Sequence, residues 1–287
     1  MKWIRFVAPS VLVVGLILGL WAFWLEPASL TTREYRLSIP HWDSRLSGLR
    51  IAVLADLHVG SPYNGLPKLA RVVEATNASK PDLILITGDL VIQEVAGGKF
   101  VSPEASAQVL KGLHAPLGVF VVLGNHDWWL DPHRVSAALE HVGINDLEDD
   151  AARIRRGDAA FWLVGISDLL AGPHNFSAAM SRVTDDAPIV LFTHNPDLFP
   201  RITGRFSLMI TGHTHGGQVD LPLVGRLVVP SRYGQRFAIG HIVENQRHLF
   251  VSSGIGTSIF PVRFRVPPEV TLLVLYEESI QENNQPN

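Results

Sequence analysis

The sequence predicts an α/β protein, a two-sheet α/β sandwich preceded by one N-terminal transmembrane helix. Three observations predict it. Residues 6–25 form a single uncharged, apolar run. Beyond residue 35, near-continuous apolar runs alternate with amphipathic stretches, as buried strands and their connecting helices do. The second half carries more strand-like runs than helical ones, so a second sheet is expected.

The elements follow in order. Lys2 and Arg5 precede the apolar run, and Phe6 to Leu25 is twenty residues long. At about 1.5 Å per residue it covers about 30 Å, the hydrocarbon thickness of a bilayer. Trp3, Trp21 and Trp24 stand near its two ends, where interfacial aromatics belong. A cleaved signal peptide would have a shorter core and small residues before the cut. Here Trp24-Leu25-Glu26-Pro27 follows the run, so a retained anchor is expected. Lys2, Arg5 and the amino terminus lie before the helix, and Arg33 and Arg36 after it. This leans toward a cytoplasmic amino terminus in a cell inner membrane, with the rest of the chain extracytoplasmic. Residues 1–25 read as the anchor, 26–34 as a linker, 35–276 as one catalytic domain and 277–287 as a polar tail. Strands are expected at Leu49–Ala55, Leu83–Thr87, Val119–Leu123, Phe161–Ile166, Ile189–Thr193, Leu208–Thr211, Leu249–Ser252 and Val270–Tyr276. Helices are expected at Leu66–Asn77, Pro103–Leu113 and Pro132–Val142, two of them opening on a proline suited to a first turn.

Composition narrows the function. Apolar residues make up 47% of the 287, enough for a sizeable core. The net charge is -3 and no basic run exists, so nucleic-acid binding through a basic patch is not indicated. The chain has no cysteine, which excludes disulfides, thiolate metal ligands and cysteine catalysis. Any metal must sit on nitrogen and oxygen.

The residues that follow the strands carry the chemistry. They read Asp56-Leu57-His58, Gly88-Asp89, Gly124-Asn125-His126-Asp127, His194-Asn195-Pro196-Asp197 and Gly212-His213-Thr214-His215. In α/β sheets, ligands bind outside the carboxyl ends of the strands. One such Asp is ordinarily a cap or turn, and one His a surface residue. Five strand ends together are hard to explain that way. His213 and His215, two apart in a strand-like loop, face one side. Asp56, His58, Asp89, Asn125, His194, His213 and His215 make seven donors. That is too many for one ion but suits two sharing a carboxylate, a clamp for displacement at phosphorus. Imidazole with oxygen donors fits Mn, Fe or Zn and does not choose among them.

This motif order resembles the calcineurin-like metallophosphoesterase superfamily. Gly212–Gln218 and Arg263-Phe264-x-x-Pro267-Pro268-Glu269 are similar to its membrane-anchored YkuE/YaeI-like branch, and the likeness spans roughly residues 35 to 276. The resemblance implies a dinuclear site along one edge of the sandwich. It places Asp56, His58 and His215 on the first metal, Asn125, His194 and His213 on the second, and Asp89 between them. It leaves His126 off the metals, steadying the transition state or protonating the leaving oxygen. Asp127 reads as structural support, and Asp168 as a turn residue. Leu90-Val91-Ile92 follows Gly88-Asp89 where phosphoprotein phosphatases carry a further Asp and an Arg, which argues against that branch and leaves the orientation of His126 open.

The expected activity is metal-dependent hydrolysis of phosphate esters, most of all phosphodiesters. An anchor near the site makes a lipid-linked ester a reasonable substrate. A relative in this branch cleaves the pyrophosphate of UDP-2,3-diacylglucosamine, a substrate made on the cytoplasmic side, so membrane topology separates the two readings. Arg232, Arg236, Arg263 and Arg265 are candidates for phosphate contact, or ordinary surface charge. A metal-binding scaffold without turnover and a metal-storage site are the remaining rivals. All seven donor positions and His126 are chemically competent, which disfavours both.

Overall fold

The structure, a computed structural model, describes residues 4–278 except Glu94, with side chains from residue 9 onward. Beyond residue 278 the expected polar tail lies outside the described residues. The strands, numbered along the chain, are β1 Thr31–Ile39, β2 Leu49–Leu54, β3 Leu83–Ile86, β4 Val119–Val121, β5 Asn145–Asp146, β6 Asp150–Arg156, β7 Ala159–Ile166, β8 Ile189–Thr193, β9 Leu208–Thr211, β10 Gly240–Glu244, β11 Arg247–Val251 and β12 Glu269–Glu277. They form two six-stranded sheets, ordered β1-β12-β2-β3-β4-β5 and β10-β11-β9-β8-β7-β6. β2 to β5 run parallel, as do β7, β8, β9 and β11.

The alternation of side chains along each strand builds the layers. Ala52, Leu54, Ile84 and Ile86 face a helical layer that supplies Leu69, Val72, Ala107, Val135 and Leu139. Their neighbours Ile51, Val53, Leu83 and Leu85 face the other sheet, meeting Phe161, Phe192, Ile210 and Phe250. The outer face of the second sheet, with Leu191, Met209 and Leu249, is covered by Leu198, Phe199 and Phe237. Because both faces of the central strands are buried, they read as continuous apolar runs. All eight expected strands are present, and helices span Leu66–Ala78, Pro103–Leu110 and Pro132–Glu140.

The N-terminal helix runs from Ile4 to Leu20 and continues through a π-helical turn, Trp21–Leu25, into Glu26–Ala28. Pro9–Ala28 is 20 residues long and apolar enough to cross a membrane. The stretch expected to be a linker, 26–34, is built into the domain. Glu26 and Pro27 are buried, and β1 begins at Thr31 and pairs in parallel with β12. Glu26 accepts hydrogen bonds from Val266 N (2.6 Å) and Trp21 Nε1 (2.5 Å). Arg263 N donates to Ala22 O (2.9 Å), and Lys68 Nζ to Pro27 O (2.7 Å).

Candidate metal centre

The site lies where the carboxyl ends of β2, β3 and β4 meet those of β8 and β9. The loops stay laddered as they leave the sheets: His58 N donates to Asp89 O (2.8 Å), and Gly212 N to His194 O (2.9 Å). Bonds also cross from sheet to sheet. His213 N donates to both Asp56 carboxylate oxygens (3.0 Å each), and His194 Nδ1 donates to Thr87 O (2.7 Å).

The backbone here is strained. Asp56, His58, Asp89, His213 and His215 take φ of 49°, 38°, 55°, 70° and 51°. Non-glycine residues in this left-handed region cost about 1–3 kcal/mol each and cluster at functional sites. Two glycines are required at the same place. Gly88 has φ +89°, and a Cβ on Gly124 would collide with the Asp89 carboxylate. Only bare backbone lets the β3 and β4 loops approach this closely.

The side chains converge as two groups about one carboxylate. Donor atoms of Asp56, His58 and His215 lie within 4.8 Å of one another, as do those of Asp89, His194 and His213. Asp89 Oδ2 stands 3.4 Å from His58 Nε2 and 3.2 Å from His194 Nε2, so it borders both. His215 Nε2 is 3.2 Å from His58 Nε2 and 3.6 Å from Asp56 Oδ1. His213 Nδ1 is 3.0 Å from His194 Nε2. Asn125 is buried, and its Oδ1 has no hydrogen-bond partner. Every donor expected from the sequence except Asn125 thus falls into one of the two groups. His126 comes within reach too, in a group with His58 and Asp89. Its ring packs edge-on against His58 (4.8 Å between centroids) and Trp129 (5.1 Å). Its N–H donates to Asp89 Oδ1 (2.9 Å).

The electrostatics suit a cation. Burial, reinforced by neighbouring imidazoles, holds His58 and His213 down to about 3, and burial holds His215 well below the ordinary value. Neutral imidazole has a lone pair to offer. His58 and His194 turn Nδ1 to the carbonyls of Val91 and Thr87, which leaves Nε2 for a ligand, the usual outer-shell arrangement at metal histidines. Burial opposes ionisation of Asp89, but the charge and hydrogen bond of His194 prevail and hold it well below the carboxylate range; His194 is raised in return. Burial lifts Asp56 to about 7. An orphaned amide oxygen, oriented imidazoles and a shared carboxylate fit two hard or borderline cations with nitrogen and oxygen ligands.

The model of the calcineurin-like phosphoesterase family matches residues 49–217, which contain every one of these donors. The chain belongs to the calcineurin-like phosphoesterases. It is 30% identical over 261 residues to an uncharacterized metallophosphoesterase, YkuE, of Bacillus subtilis (strain 168), covering 89% of this chain and 88% of the relative. It is 31% identical over 256 residues to phosphodiesterase YaeI of Escherichia coli (strain K12), covering 88% and 90%. It is 25% identical over 328 residues to UDP-2,3-diacylglucosamine pyrophosphatase LpxG of Chlamydia trachomatis, covering 93% and 96%. This phosphoesterase is a metal-dependent hydrolase of phosphoric esters, and its family works with two divalent metal ions.

Other residues of the phosphoesterase have structural work. Asn125-His126-Asp127, expected after the β4 strand, opens a helix, Asn125–Leu130. Asp127 accepts from Gly124 N (3.0 Å), Leu90 N (3.2 Å) and Val91 N (3.1 Å), so it locks the β3 and β4 loops together. Its spacing from Gly124 is that of a capping box, the signal that could have revealed it. Asp168 accepts from Leu170 N (2.7 Å) and Ala171 N (2.9 Å), a turn role. Arg263 is fully buried and donates to Ser253 O, Gly256 O and Val266 O. It is not available to a phosphate, contrary to one expectation. Arg236 is paired with Glu244; Arg232 and Arg265 are exposed. Sequence reasoning also passed over Ser252–Gly256, the loop after β11, where Gly254 lies against Asp56 and Gly256 against His58. It follows the strand-then-glycine pattern but holds no ligand type.

Proposed function

We propose that this phosphoesterase is a phosphodiesterase, with Asp56, His58 and His215 holding one cation, Asn125, His194 and His213 a second, and Asp89 shared. One observation carries the reading. Two donor groups meet on a single carboxylate oxygen, Asp89 Oδ2, within 3.4 Å of His58 Nε2 and 3.2 Å of His194 Nε2. When bound, the two ions supply positive charge that polarises phosphoryl oxygens and acidifies water. The remaining work falls to the chain's own groups. His194 gives up its proton to become a donor. Asp127 and Gly124 hold the β3 and β4 loops in register. His126, half-buried beside Asp89, gives a proton to the leaving oxygen or steadies charge there.

The test is Mn-dependent hydrolysis of bis(p-nitrophenyl) phosphate by the full chain in detergent, with the monoester alongside. The full chain is needed because Glu26, Pro27 and β1 are part of the domain. Diester cleavage abolished by chelator supports the reading; metal uptake without hydrolysis of either ester sinks it in favour of a narrow pyrophosphate substrate or a binding role.

The N-terminal helix anchors the protein in the inner membrane, with the catalytic domain extracytoplasmic and a lipid-linked phosphodiester as substrate. The likeness to LpxG favours a second reading, pyrophosphate cleavage of UDP-2,3-diacylglucosamine, which needs a cytoplasmic domain. The chain has no cysteine, so one introduced at exposed Val243 reports topology. Labelling by an impermeant maleimide in intact spheroplasts supports the extracytoplasmic domain. Labelling only after lysis favours the pyrophosphatase.

A further inference from the structure

Two loops beside the end of the helix carry apolar side chains that the fold leaves bare. Leu223, Val224, Leu227, Val228, Ile259 and Phe260 are each more than half exposed. Soluble proteins rarely show such a contiguous patch without a partner for it.

The two loops are one unit. The Gln218 side chain donates to Ser258 O (3.1 Å) and accepts from Ser258 N (2.7 Å). Phe264 N donates to Gln218 O, and Asp220 N to Phe264 O (2.9 Å each); from there the chain turns at Leu221–Gly225. On one side this unit grows out of the histidine loop, since Arg226 Nε donates to Gly216 O (2.8 Å). On the other it is bonded to the helix, through Arg263 N to Ala22 O and Val266 N to Glu26 Oε1.

Those helix contacts decide the occupant. Ala22 and Glu26 both lie inside the apolar span Pro9–Ala28. Phe260 is three residues from Arg263, so it lies within roughly 10 Å of the residue bonded to Ala22. If the helix crosses a bilayer, a loop bonded to its last turns stands at the depth of the interface. The charges agree. Arg226 is paired with Asp220 (3.5 Å) and Arg263 is buried, which leaves Arg232 and Arg265 as the exposed charges of residues 221–232 and 258–266, stretches that hold no Asp or Glu. Bare apolar tips flanked by arginine match an anionic lipid surface.

We propose that the 221–228 and 259–260 loops form a wedge seated in the headgroup and upper acyl region beside the helix. Its partner is an anionic phospholipid bilayer, and it holds the mouth of the metal centre at the level of the headgroup phosphates. The proposal rests on the helix being a membrane anchor. It narrows the substrate to a phosphodiester carried by an amphiphile in the same leaflet.

The experiment uses the full chain in phosphatidylcholine–phosphatidylglycerol vesicles. Single nitroxide labels go on Leu227→Cys, Phe260→Cys, Leu16→Cys and Val243→Cys, and their accessibility to oxygen and to a water-soluble nickel chelate is measured. Leu16 reports the anchor and Val243 the aqueous side. The expected result is an oxygen-to-nickel ratio at 227 and 260 several-fold above that at 243, with 16 deeper still. If 16 lies in lipid while 227 and 260 match 243, the wedge is wrong and the anchor stands. If 16 is itself aqueous, the anchor reading fails and takes the wedge with it. Spin–spin broadening at 227 or 260 between labels on two molecules, with low access to both reagents, assigns the patch to a second copy and overturns the proposal.

Discussion

Arg263 offers the most direct separation of a structural role from a catalytic one. Replacing it with Met keeps the apolar stem and removes the guanidinium. Three buried carbonyls, on Ser253, Gly256 and Val266, then lose their donor. Each unsatisfied buried group costs about 1–3 kcal/mol. Part of this is offset, because burial already disfavours the charge and draws the Arg263 pKa down to about 10. A net loss of about 3–5 kcal/mol follows, the range for breaking a buried charged network. At about 2–4 °C per kcal/mol for a domain near this size, the unfolding midpoint falls by about 6–20 °C. The assay is thermal unfolding of metal-saturated full chain in detergent, read beside kcat/KM on a soluble diester below the transition. A loss of kcat/KM with an unchanged midpoint would refute this reasoning and restore the arginine to the phosphate.

Three further outcomes follow, two from the site and one from the buried Lys68 beside Pro27. Asp89→Asn removes the charge between the two groups; bound metal is expected to fall from two ions to fewer than one per chain, with a loss of activity beyond about 10³-fold, and two retained ions would disprove the shared role. His126→Ala is expected to keep both ions and lose about 10²–10⁴-fold in turnover. Loss of an ion instead would make His126 a ligand, as its distance to Asp89 allows. Lys68, drawn down to about 7 by burial, binds more protons unfolded than folded between about pH 7 and 10.5, so its contribution to stability grows as pH rises through that window. The unfolding midpoint of wild type relative to Lys68→Met should therefore climb from pH 7 to about pH 9; a difference that is flat or falls with pH contradicts the buried, deprotonating lysine.

The sequence displayed the central strands and the site because both obey strong local rules. β2, β3, β8 and β9 are buried on both faces and must be apolar throughout. Polar residues at their ends then stand out against that background. The missed strands are edges or near edges. β1 buries only Leu37 and Ile39, β6 only Ile154, and β10 no residue at all. With one face wet, they need no apolar run and look like loops. Arg263 was recognisable as a residue but not as a role. The bonds it makes reach backbone carbonyls that are nearby only after folding, and no spacing rule encodes that. The same holds for Glu26, whose partner at Val266 lies 240 positions away.

The pairing of β1 with β12 also sets an order of events at the ribosome. Among the described residues the first strand after the helix has one neighbour, β12, which is the last of the described strands to be made. Thr31 Oγ1 meets the carbonyl of Pro268 across 237 positions. At about 5–20 residues per second, roughly 12–50 s separate synthesis of the two. Throughout that interval β1 has no partner and follows the N-terminal helix by only a few residues. The domain therefore cannot close one strand at a time from its beginning. A nascent chain stalled before residue 269 would hold an open edge at β1, and a truncation that removes β12 would unfasten the strand that follows the N-terminal helix.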